Sequence, residues 1–188
     1  TSGINIFILF GLSIFVFISL AYLIMYVPKF DYIQSRIFSF FNRDSGTHNF
    51  QSDKAIESIT SGGYFGKGIG EGTLKNRVPE AHTDYIISVI SEEFGVVAIM
   101  LILLLFLMFI YMVFKKINYE KDDKTKLVLI GCVSLILMQA TIHVGVNIRL
   151  FPTTGMTLPF LSYGGSSIVS ISILSGIILN LTKRKIEN

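Results

Sequence analysis

One short segment, Pro-Glu-Ala-His-Thr-Asp-Tyr at 79–85, concentrates side chains that can do chemistry. It holds two carboxylates, an imidazole and a hydroxyl, and a long apolar stretch begins directly after it. Carboxylates beside apolar residues at a membrane surface have raised pKa values, which suits them to act as general bases. The sequence therefore predicts Asp84 as a base at the outer mouth of a membrane span.

Two other interpretations of this segment stay open. Glu80, His82 and Asp84 alternate, which would place them on one face of a strand and could hold a structural metal ion. Alternatively, Thr83 or Asp84 caps the helix that follows. Glu92 and Glu93 lie further along that helix, and charges this close to lipid require pairing at the interface or with a neighbouring helix.

A glycine-rich run at 62–72 precedes this segment and contains Lys67. It does not end in Gly-Lys-Ser/Thr and does not match Gly-x-Gly-x-x-Gly, so a nucleotide phosphate site is disfavoured. The run predicts a tight surface turn, or a backbone-lined groove that a polar substrate approaches closely.

A second polar segment covers 149–167 and includes two prolines and three glycines, which break any helix. Between its hydroxyl residues it is nevertheless rich in apolar side chains, so we expect it to dip back toward the bilayer against protein. Ser166 and Ser167 are predicted caps of the last helix, with free N–H groups aimed at an anion. No Gly-x-Ser-x-Gly elbow supports a serine hydrolase.

Long apolar blocks must position these segments. The chain has 188 residues, of which 51% are hydrophobic and 15% charged, a balance unlike that of a soluble domain. Blocks at about 4–27, 85–114, 127–148 and 166–182 are suited to crossing a bilayer as helices. The sequence therefore predicts an all-α, polytopic membrane helix bundle. Cys132, the single cysteine, is predicted to be a small buried side chain.

Basic residues predict the orientation. Segment 115–126 holds five lysines, and Lys183, Arg184 and Lys185 follow the last span. Such regions face the cytoplasm, which places 28–84 and 149–165 outside. The long outer loop should carry short helices: an interfacial amphipathic one with Phe30, Ile33, Ile37 and Phe41 on one face, and a second over 51–59.

Three polar side chains, Gln139, His143 and Asn147, recur at helical spacing in the third span. They predict hydrogen bonds between helices, or alternatively a transport path. Net charge is +3, and no basic, aromatic-rich face indicates nucleic acid. Because the chain starts at Thr1 with no signal peptide, we interpret it as cut from a longer protein.

The two polar segments resemble the paired motifs of the SEDS family (shape, elongation, division and sporulation; the FtsW, RodA and SpoVE proteins), and the resemblance extends from the first span to the last. Ala81 and the Gly-Met-Thr-Leu-Pro run at 155–159 are more similar to FtsW than to RodA. The family has ten membrane helices, so the resemblance implies that this chain holds the last four and is inactive alone.

The resemblance also implies an activity. SEDS proteins polymerise glycan strands from lipid II, a disaccharide-peptide on an undecaprenyl pyrophosphate carrier, and the family's essential aspartate matches Asp84. The leaving pyrophosphate needs positive charge, for which Lys67, Lys75, Arg77 and Arg149 are local candidates. No cofactor is required by the pattern, and a divalent cation, magnesium or manganese, is the alternative source of charge.

Further residues of both motifs are implied to bind substrate. They are Lys75, Arg77, Glu80, His82, Thr83, Arg149, Ser162, Tyr163, Gly164, Gly165 and Ser166. The chain departs from the family pattern at Thr154, where many FtsW sequences have lysine, and at Tyr85, where the family has phenylalanine.

The implied partners are lipid II, the nascent glycan strand, membrane lipid, a class B penicillin-binding protein (a transpeptidase) and other division proteins. The implied location is the bacterial cytoplasmic (inner) membrane, with the active face outside. Two alternatives to the polymerase remain: a flippase that transports lipid II, and a non-enzymatic scaffold for division partners.

The orientation can be tested with cysteine labelling in cells, in full-length protein lacking its native cysteines. We expect Asn76→Cys to react with a membrane-impermeant maleimide in intact cells. Lys121→Cys should react only after permeabilisation, because segment 115–126 is predicted to face the cytoplasm. The reverse pattern would place Asp84 in the cytoplasm.

Overall fold

The computed structural model describes residues 6–41, 47–78 and 80–183. Over these ranges the chain forms α-helices and no β-strand, which confirms the all-α prediction. The helices are α1 (Ile6–Tyr26), α2 (Asp31–Phe41), α3 (Thr47–Gly62), α4 (Leu74–Arg77), α5 (Ile86–Tyr119), α6 (Asp123–Asn147) and α7 (Gly165–Thr182). Pro79, Arg184 and Lys185, which the sequence interpretation used, lie outside the described residues.

Three or four of the described helical segments are long and apolar enough to cross a membrane. Of the described helices, α5, α6 and α7 are long and apolar enough to cross a bilayer. A bent pair, Phe10–Tyr26 with Pro28–Phe41, would count as a fourth. The chain divides into two compact units, Thr1–Asn49 and Phe50–Asn188, which are described in turn.

The first unit contains α1 and α2, joined by a 3₁₀ turn over Pro28–Phe30. Helix α1 ends at Tyr26, and Pro28 prevents it from continuing, because proline fixes φ and has no N–H to donate. The two arms of the bent pair meet at 91°. A right-angle bend is what a helix needs if it leaves a span to lie along the bilayer surface. The interfacial placement of α2 remains a prediction.

In the second unit the helices run beyond their expected bounds. The lysine-rich segment predicted as a loop over 115–126 is mostly helical, because α5 continues to Tyr119 and α6 starts at Asp123. The Asp122 carboxylate caps α6 by accepting from the backbone N–H groups of Lys124 and Thr125 at 3.3 and 3.1 Å. The predicted 51–59 helix is part of the longer α3.

Two hydrophobic clusters hold the second unit together. One joins α5, α6 and α7 at the lysine-rich end, with Val113, Leu129 and Ile178 among its members. Cys132 belongs to it and is 7% exposed, as predicted for a small buried side chain. The other cluster lies at the opposite end and includes Tyr85, which packs with residues of α3, α4 and α6.

Helix α5 is broken at Gly95, where the backbone adopts φ 80° and ψ 178°. This conformation is essentially restricted to glycine. The break separates the carbonyls of Glu92 and Glu93 from Val96 and Val97, their partners in an unbroken helix. Unsatisfied backbone groups are not tolerated in a bilayer, so the protein must supply replacements.

The glycine-rich loop supplies these replacements through its own backbone. The hydrogen bonds, with N···O distances, are Lys67 to Glu92 (2.9 Å), Gly68 to Glu93 (3.1 Å), Val96 to Gly63 (3.0 Å) and Val97 to Tyr64 (3.3 Å), the donor being named first. A Cβ on Gly66 would lie 2.2 Å from the Glu93 carbonyl oxygen, and one on Gly95 would lie 2.2 Å from that of Tyr64. The loop is therefore a backbone wedge in a broken span, which neither sequence interpretation of the glycine run included.

We predict that Gly95→Ala in the full-length protein lowers the stability to thermal unfolding in detergent. The backbone conformation alone should cost roughly 1–3 kcal/mol, and the new Cβ would push the wedge out of the break. Gly131→Ala in α6 is the matched control, since a Cβ there meets nothing within 4 Å. Equal melting temperatures for the two variants would show that the wedge does not stabilise α5.

Candidate functional site

Asp84 lies in a turn over residues 80–85 that leads into α5. The backbone N–H groups of Thr83 and Asp84 donate to the Glu80 carbonyl at 3.1 and 3.0 Å. The Asp84 side chain is half-buried. The predicted helix cap at Thr83 or Asp84 is wrong, because the N-cap residue is Tyr85, which makes no side-chain capping bond. The Thr83 hydroxyl turns back and donates to the Glu80 carbonyl instead.

The turn also excludes the strand-like metal site considered for Glu80, His82 and Asp84. A strand would bring alternate side chains onto one face, and a turn does not. In the described part of the chain, no three His, Cys, Asp or Glu side chains come together closely enough to hold a metal ion.

Asn147, at the end of α6, holds the Asp84 turn in place. Its Nδ2 donates to the carbonyls of Asp84 and His143, both at 2.9 Å. Its Oδ1 accepts from the backbone N–H of Ser88 at 3.2 Å and from the Ser88 hydroxyl at 2.7 Å. Asn147 is 0% exposed, so these bonds are shielded from competing water. One buried amide thus joins α6, the turn and the first residues of α5.

The second polar segment is bonded directly to the first. The Ser162 hydroxyl donates to the Thr83 carbonyl and accepts from the Leu158 N–H, each at 2.8 Å. The Tyr163 N–H donates to the His82 carbonyl at 3.1 Å. Ser162 is 5% exposed. The two motifs, far apart in sequence, therefore form one structure.

The backbone of Gly155 lies beside the Asp84 carboxylate. A Cβ on Gly155 would be 3.7 Å from Asp84 Oδ2, and the residue has φ 74°, which favours glycine. Any larger side chain at 155 would project next to the carboxylate.

The polar side chains of α6 hydrogen-bond to this second segment. Gln139 Nε2 donates to the Thr157 carbonyl at 2.9 Å and to the hydroxyl of Ser167 in α7 at 3.0 Å. His143 Nδ1 lies 2.8 Å from the Met156 carbonyl. Together with the bond from Asn147 to Ser88 of α5, these contacts agree with the predicted helix–helix hydrogen bonding and extend it to the loop.

The predicted cations are engaged in ion pairs. Lys67 pairs with Glu92 at 2.9 Å and Lys75 with Glu93 at 3.0 Å. Glu92 is 1% exposed and also accepts from the backbone N–H of Leu74 at 3.0 Å. The expected pairing of these two glutamates is therefore present, with Lys67 of the glycine-rich loop and Lys75 of α4 as partners.

The predicted arginines are paired as well. Arg77 lies 3.8 Å from Glu57, and Arg149 contacts Asp53. The hydrogen bond from Lys54 lowers the pKa of Glu57 and keeps that carboxylate charged. Arg149 adopts φ 61°, uncommon for a residue other than glycine.

The remaining predicted residues are mostly at the surface. Glu80, His82, Tyr163, Gly165 and Ser166 are exposed. The predicted cap of α7 at Ser166 or Ser167 is wrong, because the N-cap residue is Gly164 and no side-chain cap is made. The Ser167 hydroxyl accepts from Thr157 at 2.6 Å instead, which draws it away from the helix end.

Sequence reasoning singled out Asn147 only as one polar residue of a span, and it missed Ser88 altogether. The signal for Asn147 was an amide in an apolar helix, which requires a buried partner. Nothing in the local sequence identified the Asp84 carbonyl as that partner.

Comparisons with known proteins agree with this architecture. Residues 1–187 match a family model described as cell cycle protein, FTSW_RODA_SPOVE. The chain is 34% identical to a "Probable peptidoglycan glycosyltransferase FtsW" of Enterococcus hirae over 190 residues, covering 96% of this chain and 48% of that protein. It is 36% identical to a protein of the same name from Caulobacter vibrioides, covering 83% and 40%.

A solved structure shares the fold. It is described as "Structural coordination of polymerization and crosslinking by a peptidoglycan synthase complex". The TM-score is 0.70 at 24% identity, over 95% of this chain and 48% of that one. The chain therefore spans about half the length of the relatives it matches.

We predict that Asn147→Ala in the full-length protein loosens the Asp84 turn. It leaves the Asp84 carbonyl and the Ser88 N–H unsatisfied, at a cost of about 1–3 kcal/mol for each buried group. Hydrogen exchange should therefore accelerate at the Ser88 amide. Ser134→Ala is the control, because that exposed hydroxyl bonds to the Ile130 carbonyl within its own helix. Unchanged exchange at Ser88 in Asn147→Ala would contradict the positioning role.

Proposed function

The chain belongs to the FtsW/RodA/SpoVE family of cell cycle proteins, and we propose that it forms the acceptor-activating part of a peptidoglycan glycosyltransferase that polymerises lipid II. Membership confirms the resemblance drawn from the two motifs. The relatives reported above are named FtsW, in agreement with the closer similarity to that branch. The activity is a proposal, because the chain covers 48% of one relative's length and 40% of the other's.

The observation that most supports this proposal is the setting of Asp84. Its carboxylate lies where the two motifs meet, beside the Gly155 backbone and at the start of an apolar span. The main chain around it is held by hydrogen bonds from the buried side chains of Asn147 and Ser162. A general base must be fixed within hydrogen-bond reach of the proton it removes, and fixed backbone on both sides provides that constraint.

In the proposed reaction, Asp84 accepts the proton of the acceptor sugar hydroxyl on lipid II. The hydroxyl oxygen forms a bond to the anomeric carbon of the growing strand. The bond from that carbon to the undecaprenyl pyrophosphate breaks, and the pyrophosphate leaves with the electron pair. The proton then passes from Asp84 to solvent. A lipid-anchored leaving group requires this chemistry at the membrane surface, the location predicted for the mouth of α5.

The negative charge on the leaving pyrophosphate needs donors or cations. In the described ranges Lys67, Lys75, Arg77 and Arg149 all have carboxylate partners. A divalent cation, magnesium or manganese, would be held by one or two carboxylates together with the substrate phosphates, and it remains the alternative source of this charge. The four basic side chains stay our candidates for binding the leaving pyrophosphate, and Asp84 is assigned the proton.

We further propose the outer face of the bacterial cytoplasmic membrane as the location and a class B penicillin-binding protein as partner. The similar solved structure is described as a synthase complex that coordinates polymerisation and crosslinking. A transpeptidase beside this protein would crosslink each strand as it is made.

A flippase is the second candidate, and its main support weakens in the structure. A transport path needs polar side chains that face water or cargo. The side-chain amides of Gln139 and Asn147 instead donate hydrogen bonds to protein carbonyls, and His143 contacts the Met156 carbonyl. These side chains support the loop that carries the site. A non-enzymatic scaffold for division partners would not need the Asp84 carboxylate.

We predict that Asp84→Asn in the full-length protein lowers lipid II polymerisation by about 100-fold or more, the usual contribution of a general base. Glycan product would be separated on gels after reaction in proteoliposomes. Glu71→Gln, an exposed carboxylate of the same outer segment, is the control and should polymerise normally.

The same variants separate the alternatives. Lipid II translocation measured in parallel should be equal for Asp84→Asn and Glu71→Gln if the protein is a polymerase. Full polymerisation by Asp84→Asn would remove the base assignment. Loss of translocation together with intact polymerisation would favour the flippase.

A further inference from the structure

We propose that the tip of the glycine-rich loop, formed by Tyr64, Phe65 and Ile69, inserts into the outer leaflet of the bilayer and anchors the outer end of α5 at a fixed depth. These three side chains are 77%, 85% and 81% exposed. Clustered apolar residues at such exposure mark an interaction surface rather than ordinary solvent-facing chain. The inference concerns membrane attachment and does not depend on the proposed enzymatic activity.

The tip is held rigidly. Four backbone hydrogen bonds tie residues 63–68 of the loop to 92–97 of α5. The Lys67–Glu92 ion pair, 2.9 Å long, adds a side-chain link between the same two segments. Gly62 and Gly66 lie so close to α5 that a Cβ would come within 2.0 and 2.2 Å of its carbonyl oxygens. The backbone of the loop is therefore held in place, and its Tyr64 and Phe65 side chains project from it into open space.

The position of the tip indicates lipid as the occupant. Tyr64 is hydrogen-bonded through its carbonyl to Val97, the first residue of an exposed apolar face of α5. That face continues at helical spacing through Leu101, Leu104 and Met108, which are 60%, 61% and 46% exposed. It lies opposite the side of α5 that packs with α6 and α7 through Phe106 and Val113. The tip is therefore continuous with the surface that a spanning helix presents to acyl chains.

The chemistry of the tip fits the interfacial layer. Tyrosine and phenylalanine are suited to headgroup depth, where a ring is half in hydrocarbon and a hydroxyl reaches water. Lys67 lies between Phe65 and Ile69 in sequence, and its partly exposed ammonium is already neutralised by Glu92. Because Lys67 is paired, the tip can enter the membrane interface without burying an unpaired charge from this lysine.

Depth-dependent fluorescence quenching tests the anchor in full-length protein lacking native cysteines. Phe65→Cys carries an environment-sensitive probe in phosphatidylglycerol–phosphatidylethanolamine nanodiscs. Quenchers are lipids with a nitroxide high on the acyl chain, and aqueous iodide. Asn76→Cys is the matched control, because Asn76 is an exposed polar residue of the neighbouring α4. We expect lipid quenching several-fold stronger at 65 than at 76, and the reverse order for iodide.

Two results would overturn the anchor. Iodide quenching at 65 as strong as at 76 would place the tip in water. Protection at 65 from both quenchers would mean that protein covers it, either from the part of the molecule outside this chain or from another subunit. Replacing Tyr64 and Ile69 by serine provides a second readout. This variant should melt like the wild type in detergent, yet lose the excess lipid quenching of the probe at Phe65→Cys.

Discussion

The buried amide of Asn147 is the contact on which the arrangement of the site depends most. It faces three elements at once and uses both of its N–H bonds and its oxygen. At 0% exposure, every one of these bonds would leave an unsatisfied group if it were lost. The bonds from Ser162 and Tyr163 add a second restraint on the Asp84 turn from the 149–164 segment. The geometry of the turn is therefore set from the membrane side, by the end of a span.

A second constraint acts around the end of the second unit that carries Asp84. Non-helical backbone at membrane depth is tolerated only where protein satisfies its polar groups. The chain meets this demand twice: the glycine wedge fills the break in α5, and Gln139 and His143 hydrogen-bond to the carbonyls of Thr157 and Met156, which accept. The irregular segments that carry the site are thus bonded closely to the spans.

Much of this could be predicted from the sequence, and the exceptions have a common cause. Long apolar blocks indicated the spans, and the two motifs identified the family, because both signals are local in sequence; the assignment of Asp84 as the base stays a prediction. The break at Gly95 was missed because a single glycine in an apolar run is compatible with a continuous helix. The capping predictions failed because the Thr83 hydroxyl donates to the Glu80 carbonyl and the Ser167 hydroxyl accepts from Thr157 and from Gln139 of α6. The carboxylate partners of the four basic side chains could not be predicted because they lie in other elements, and the role of these cations as pyrophosphate ligands stays a prediction.

The central claim is that Asp84 removes the acceptor proton, and the pH dependence of polymerisation tests it most directly. Initial rates would be measured for the full-length wild type, Asp84→Glu and Asp84→Asn in proteoliposomes across the acidic range. A carboxylate base requires that the wild-type and glutamate rates fall as pH falls, because protonation removes the base. The asparagine variant should keep a low rate that no longer changes with pH. An asparagine variant that retains the wild-type acidic limb would contradict the account.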